Sequence, residues 1–365
     1  MSICFISPAA YPLLSDDHSL VSAGGAEAQF VTLGRELIKR DQSVHFIVDD
    51  YGQQKMINCS GIKVHKTSFR YMGGANAYLP IDWLKLLSCM KKINADIYLL
   101  KIPKDILLPV GFYCYLFGKK LVYIGQSDKD VDIPLLMQLQ NKLAVQFYRT
   151  GLRLTDYAVA QTDIQQKGFI ALGVNSQIIR NLITLPESNL SKDKYVLWVG
   201  NATENKQPEM YIRLAKMLPY INFKMIMSGN QDDMKFRDIQ KHAETISNLD
   251  FIGFVPFSKI SVFFSQAALL VSTSLREGFP NVFLQTWQYG TPVISLQVDP
   301  DNIIVNQRLG LVSKTEEQLL LDVETLMKDS KLYEEMGANS YQFVLENHSV
   351  SKVAELYEDL FSKLH

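Results

Sequence analysis

The 365-residue chain has little of what marks a metal enzyme, a disulfide scaffold or a membrane span. Histidines number only six (His18, His45, His65, His242, His348 and His365), and none stands in H-x-x-x-H spacing, so no zinc site is expected. Four cysteines, Cys4, Cys59, Cys89 and Cys114, form no C-x-x-C pair, which reads as reduced thiols of a cytosolic protein. The most lipophilic run, Ile106 to Phe117, is closed by Lys119-Lys120. It falls short of the roughly 20 residues that a span takes. A buried helix is its expected role, with interfacial insertion as the lesser option. The opening stretch, MSICFISPAAYPLLSDD, lacks a basic segment and a long apolar core, so no secretory leader is expected. Neither charge dominates: 37 basic and 38 acidic residues argue against a dedicated nucleic-acid binder. There is no G-x-S-x-G elbow, and no G-x-G-x-x-G follows the first apolar run, which removes two common α/β chemistries.

What is present is a globular chain, 47% hydrophobic and 11% aromatic. Its length suggests about two domains, each able to bury a core. Residues 1–180 carry 20 basic and 15 acidic side chains, and the remainder carries 17 and 23. This is either variation on solvated faces or a basic half that meets an anionic surface or substrate. Short apolar runs alternate with helical spacing throughout. Strands are expected at Ser2–Ser7, Ser43–Asp49, Ile97–Leu100, Leu121–Ile124 and Tyr157–Gln161. Helices are expected from Gly25, at Trp83–Ile93 and at Leu135–Leu154. In the second half, strands at Tyr195–Val199, Phe223–Met227, Asp250–Ile252, Leu269–Ser272 and Val293–Ser295 alternate with helices. That order implies doubly wound parallel sheets. Pro186, Glu187, Ser188 and Asn189 place a linker within 184–194. The last helix carries Val353, Leu356, Tyr357, Leu360, Phe361 and Leu364 on one stripe, which must pack on something.

Three motifs carry possible chemistry. Gly24-Gly25 opens a helix, and the free N–H groups there suit an anion; a tight turn is the plainer reading. Asp128, Asp130 and Asp132 spell D-K-D-V-D. Turn and cap chemistry is preferred over a metal pair, with one carboxylate able to orient a substrate hydroxyl. The strongest block is Arg276-Glu277-Gly278-Phe279-Pro280-Asn281-Val282-Phe283-Leu284-Gln285. It lies between a strand and a helix, at the edge where such sheets bind ligands. Glu277 there is either a sugar-hydroxyl acceptor or a helix-dipole partner.

This block, followed by Trp287 and Tyr289-Gly290-Thr291-Pro292-Val293-Ile294-Ser295, resembles the signature of the retaining glycosyltransferases of family 4, the glycosyl transferases group 1. Gly24-Gly25-Ala26-Glu27, Asp156 to Thr162, Val196 to Gly200, Lys206-Gln207-Pro208 and Phe251 to Val255 match further motifs in the family's order. The resemblance implies the GT-B fold: two Rossmann-like doubly wound domains facing a central cleft. These would be an acceptor-side domain at 1–184, joined by a C-terminal helix at 350–365, and a donor domain at 185–349. It further implies that Gly24 and Gly25 contact the donor phosphates and that Lys206 neutralises the diphosphate. Glu277 would hold the transferred sugar, with Gly278, Phe279, Pro280, Asn281 and Val282 around it. Phe254 and Val255 would flank the base, and Gly229 would close a strand of the donor site. Gln285 stands where a ribose-binding glutamate is usual, and Asn201 where an arginine is usual. Asp128 lies in the loop where many members place a histidine, and is a third catalytic candidate. No metal and no separate cofactor are expected. The implied partners are a nucleotide-sugar donor, a UDP-sugar by preference, and a glycan or lipid-linked acceptor of surface polysaccharide assembly. A cytoplasmic place is expected, with peripheral contact to an anionic membrane as an option. A weakly active nucleotide-sugar-binding subunit of the same fold is the alternative reading.

Overall fold

The computed structural model describes residues 1–15, 24–67, 80–101, 106–139, 141–186 and 195–364. The chain divides into two compact units, residues 1–182 with 350–365 and residues 183–349. The division falls after Leu182, just ahead of the linker composition at 184–194, of which 187–194 lie outside the described residues.

The first unit contains β1 (Ser2–Ile6), α1 (Tyr11–Leu14), α2 (Gly25–Lys39), β2 (Ser43–Val48), β3 (Met56–Cys59), β4 (Ile62–Lys66), α3 (Pro80–Ile93), β5 (Ile97–Leu100), α4 (Leu107–Phe117), β6 (Lys120–Ile124), α5 (Ile133–Leu139), α6 (Lys142–Arg153), β7 (Tyr157–Ala160), α7 (Asp163–Ala171) and β8 (Ser176–Ile178). The C-terminal helix Val350–Leu364 joins it. Its sheet runs β3-β4-β2-β1-β5-β6-β7-β8. Strands β1, β5 and β6 are buried on both faces, which is why they read as unbroken apolar runs. One core lies under α2, built on Phe5, Phe30, Leu37 and Phe46. The other lies under α3, α4 and α6, built on Leu86, Val110, Tyr113, Val145 and Leu152.

The C-terminal stripe finds its partner in the first core, where Val353, Tyr357, Leu360 and Phe361 are buried. Each large side chain there contributes roughly 1.5–3 kcal/mol. Arg40, just past α2, fixes the register by donating to Glu358 Oε2 at 2.9 Å and Ser351 Oγ at 2.8 Å.

Two features depart from the expected pattern. The span Leu135–Leu154 is not one helix. Asn141 starts α6 afresh, its Oδ1 accepting from Leu143 N at 2.8 Å, and a short polar acceptor favours such a cap over helix interior. The β3–β4 pair is an antiparallel hairpin on an otherwise parallel sheet. Its turn places Ser60 and Gly61 in the left-handed region, a conformation that glycine adopts without strain.

The second unit contains β9 (Tyr195–Asn201), α8 (Pro208–Met217), β10 (Asn222–Ser228), α9 (Met234–Glu244), β11 (Leu249–Phe251), α10 (Phe257–Gln266), β12 (Leu269–Ser272), α11 (Asn281–Trp287), β13 (Val293–Ser295), α12 (Ile303–Asn306), β14 (Gly310–Val312), α13 (Glu316–Lys328) and α14 (Ser330–Asn347). Its strands, in the order β11-β10-β9-β12-β13-β14, are all parallel. The winding reverses between β9 and β12, which opens a crevice at their carboxyl ends. Asn248 ties the connection after α8 by donating to the carbonyls of Ala215, Leu218 and Ile221 at 2.8–3.0 Å.

Two measurements check this packing. A Cβ on Gly151 of α6 would stand 2.7 Å from the Leu108 backbone nitrogen. Gly151→Val should therefore lower unfolding free energy by about 2–3 kcal/mol in chemical denaturation. On β2 and β4, His45 Nδ1 lies 3.0 Å from His65 Nε2. Burial, then His65, then Lys63 lower His45 from 6.5 to about 4. The folded state thus binds the proton less readily than the unfolded chain. This contribution to stability is present above pH 6.5 and is lost as the pH falls toward 4. His45→Gln should flatten that part of the stability–pH curve, a difference on the order of 2 kcal/mol between the two proteins at the acid end.

Candidate functional site

Strands β9 and β12 pair directly, with Val196 opposite Leu269 and Leu197 opposite Leu270. The loops that leave their carboxyl ends, 202–207 and 273–280, are clamped together. Buried Thr273 donates from Oγ1 to the Lys206 carbonyl at 2.5 Å and accepts from Trp198 Nε1 at 2.9 Å. Leu275 N donates to the Asn205 carbonyl at 2.8 Å, and Asn205 Nδ2 donates to the Arg276 carbonyl at 2.8 Å. On this frame the Lys206 ammonium and the Glu277 carboxylate form an ion pair. Both side chains are mostly buried, with 22% and 21% of their surface exposed. Water therefore screens the pair less than it would a surface pair.

The residue after Lys206 is strained. Gln207 has φ 46° and ψ 56°, a left-handed conformation costly for a residue with a Cβ, and Pro208 then starts α8. Its Oε1 is buried with no hydrogen-bond partner among the described residues. Backbone strain and an unsatisfied acceptor at one position gather where a fold serves a ligand rather than its own stability.

The remaining second-unit candidates have distinct local roles. Phe279 is buried, its ring 4.9 Å from His348 and 6.4 Å from Trp287, so its side chain serves the core and only its backbone borders the loop. Gly278 and Pro280 are buried beside it, while Asn281, Val282 and Gln285 are partly buried in the two-turn α11. Asn201 ends β9 exposed, opposite Ser228 of β10. Gly229 follows, and a Cβ there would stand 2.9 Å from the Phe236 ring, so packing alone demands glycine. Beyond β11, Gly253 turns with φ 73° and leaves Phe254 half-exposed and Val255 partly buried.

In the first unit, Gly24 is exposed and extended, and Gly25 is the first residue of α2. A Cβ on Gly24 would stand 3.1 Å from Glu27 Oε2, the end of a flexible side chain that can move aside, so neither packing nor backbone handedness demands glycine there. Two of the three aspartates do local turn and cap work, and Asp128 instead joins its loop to Thr162 and Gln165. Asp128 Oδ1 accepts from Thr162 Oγ1 at 2.9 Å and Gln165 Nε2 at 3.1 Å. Asp130 Oδ2 accepts from Gln126 N at 2.7 Å, and Asp132 Oδ1 accepts from Leu135 N at 3.0 Å. Among the described residues, no three His, Cys, Asp or Glu side chains converge as a metal site would require.

Three residues of interest escaped the sequence reading. Asn205 and Thr273 are polar loop residues whose partners lie some 70 positions away, so only the fold exposes them. Lys101 sits directly after β5, beside β1, where the first sheet reverses its winding. It is buried, its Nζ donating to Asn181 Oδ1 at 3.3 Å, and burial lowers it from 10.5 to about 8 against the pull of Glu27 and Asp130. A lysine closing a four-residue apolar strand was the available signal.

Comparison with known proteins places this geometry in context. Residues 184–343 match the family model of glycosyl transferases group 1. An uncharacterised glycosyltransferase of Haemophilus influenzae is 22% identical over 364 residues, covering 93% of this chain and 96% of its own. The sucrose-phosphate synthase structure from Thermosynechococcus elongatus superposes with a TM-score of 0.76 at 16% identity, over 100% of this chain and 99% of that one. The Anabaena HepE structure in complex with UDP gives 0.73 at 13% identity, over 100% of both chains. No helix among the described residues is long and apolar enough to cross a membrane. The second unit is thus a glycosyl transferases group 1 domain, and the whole chain has the two-unit parallel-sheet fold of the GT-B glycosyltransferases.

Proposed function

We propose that the chain is a retaining, metal-independent hexosyltransferase. It would move a sugar from a nucleoside diphosphate, UDP by preference, to a glycan or lipid-linked acceptor of surface polysaccharide. The observation that carries this reading is the Lys206–Glu277 pair on clamped loops at the β9/β12 reversal, inside the segment that matches the group 1 model. Solved relatives of the same fold support the donor class, since HepE was captured with UDP and with UDP-glucose.

The chemistry follows from charge. When the bond from the anomeric carbon to the diphosphate oxygen breaks, its electron pair stays on the phosphate. Lys206 neutralises that charge in place, where a preorganised cation costs no reorganisation. Donor binding exchanges partners: the diphosphate takes the ammonium, and Glu277 is freed to accept hydrogen bonds from sugar hydroxyls. The acceptor oxygen bonds to the anomeric carbon on the face the diphosphate leaves, and its proton passes to the departing phosphate oxygen. Gln285 would bond a ribose hydroxyl through a neutral amide, and Phe254 and Val255 would flank the base. Asp128 is kept as a candidate for a substrate hydroxyl, in competition with its bonds to Thr162 and Gln165. Exposed Asn201, where the resembling family has an arginine, favours a second reading in which the chain binds donor but turns over weakly.

Nucleotide release and single-turnover transfer with a panel of UDP- and GDP-sugars test both readings. Glu277→Ala should cut transfer by at least about 100-fold. Because the loops are held by the Thr273 and Asn205 bonds and both charged side chains still reach water, the same change should shift stability by no more than about 1 kcal/mol. Full activity in that variant would remove the assignment, and tight UDP binding without single-turnover transfer would select the second reading. Chelation should leave the rate unchanged, and the product's anomeric configuration by NMR should match the donor's. Thr273→Val should cost about 1–3 kcal/mol in denaturation, because Trp198 Nε1 and the Lys206 carbonyl lose their partner. It should lower kcat as the Lys206 loop loosens.

A further inference from the structure

Helix α4 is apolar all round, with no charged side chain in LLPVGFYCYLF. Its inner face is accounted for, since Val110, Tyr113 and Cys114 are buried against the sheet. Its outer face is not. Phe112, Tyr115, Leu116 and Phe117 are 52%, 73%, 57% and 53% exposed. The first three recur at helical spacing and so lie on one stripe. Leu84 on α3 and Leu143 on α6, the helices beside α4, are exposed as well, whereas Met56, Ile164 and Met234 stand apart on separate elements, as is ordinary for a soluble surface. A concentrated apolar stripe is not ordinary.

The surroundings of the stripe are cationic. Helices α3, α4 and α6 lead into the parallel strands β5, β6 and β7, so their C-terminal ends gather at one edge of the layer. Lys119 confirms the adjacency by donating to the carbonyl of Asn94, just past α3, at 3.3 Å. That edge presents Lys91 and Lys92 on α3, Lys119 beyond α4, and Arg149 and Arg153 on α6. The only acid on these three helices is Asp82, in the first turn of α3 at the other end. Asp156, after α6, is already held by Lys120 at 3.1 Å.

We propose that the outward face of α4 and its basic rim dock on the surface of an anionic lipid bilayer. The charge pattern selects this occupant. Headgroup phosphates meet a ring of cations while the hydrocarbon boundary takes the aromatic stripe, with Tyr115 at the polar level that amphipathic rings prefer. A helix about 16 Å long lies in the interface and does not cross it. The stripe sits at the amino edge of the first sheet, away from the carboxyl edge where α2 begins, so docking leaves that edge open. The inference stands on this surface alone and does not depend on the proposed reaction.

Co-sedimentation of the full chain with phosphatidylglycerol-rich and pure phosphatidylcholine vesicles tests it. Binding should be found with the first, be nearly absent with the second, and weaken as salt is raised. Tyr115→Ser with Leu116→Ser should reduce the partition coefficient by at least about tenfold. Removing charge by Lys91→Gln with Lys92→Gln should reduce it about fivefold per cation. Leu116→Trp keeps the face apolar and needs no loss of binding to be read; its emission should shift to the blue on anionic vesicles alone. The proposal is overturned if the chain ignores anionic vesicles, or if the serine variant binds as well as the parent. It is also overturned if sedimentation velocity without lipid shows a dimer that the serine changes abolish, which would assign the face to a second copy.

Discussion

The loop architecture at the β9/β12 reversal rests on one polar clamp. Two loops leave neighbouring parallel strands, and each carries a charged group whose position means nothing without the other. The Thr273 hydroxyl joins them by serving the Trp198 indole and the Lys206 carbonyl together, while Asn205 closes the outer side. A buried hydroxyl with both donor and acceptor satisfied is rigid in a way that a surface ion pair is not. The ammonium and carboxylate are therefore delivered to one place by a frame that does not need their attraction to hold it. Under the proposed function, that would leave the pair free to part when a stronger anion arrives.

Much of this architecture was readable in the linear sequence, for identifiable reasons. Strands buried on both faces leave unbroken apolar runs, so β1, β5, β9 and β12 were found at nearly their observed bounds. The terminal stripe announced a helix in need of a partner, although periodicity alone could not name α2 as that partner. Failures came where local chemistry overrides periodicity. Asn141 restarted a helix that apolar spacing would have continued, and the β3–β4 hairpin, with an exposed outer strand and only Ile62 and Val64 fully buried on the inner one, lacked the apolar density used to recognise strands.

The site shows the same split. Glu277 was legible because the block around it is dense in glycine, proline and charge, and Lys206 because Lys206-Gln207-Pro208 resembles a family motif. Thr273 and Asn205 were not, because a threonine after a strand and an asparagine in a loop are unremarkable until the partner 70 residues away is in place. Motif chemistry can also mislead about cause. Gly229 sits in a candidate motif, yet the Phe236 ring is enough to require it. In D-K-D-V-D, Asp130 and Asp132 do the local turn and cap work that the sequence suggested, while Asp128 reaches across to Thr162 and Gln165.

The first unit is interrupted in sequence by the second, and its last helix supplies Val353, Tyr357, Leu360 and Phe361 to its core. During synthesis on the ribosome, the usual order in which the earlier domain matures first is therefore reversed. The continuous segment 183–349 is made before the helix Val350–Leu364, so the eight-stranded sheet waits with the apolar flank of α2 uncovered until that helix emerges. A stop codon a few residues before position 350 would spare the later unit and leave the earlier one as a target for chaperones and proteases.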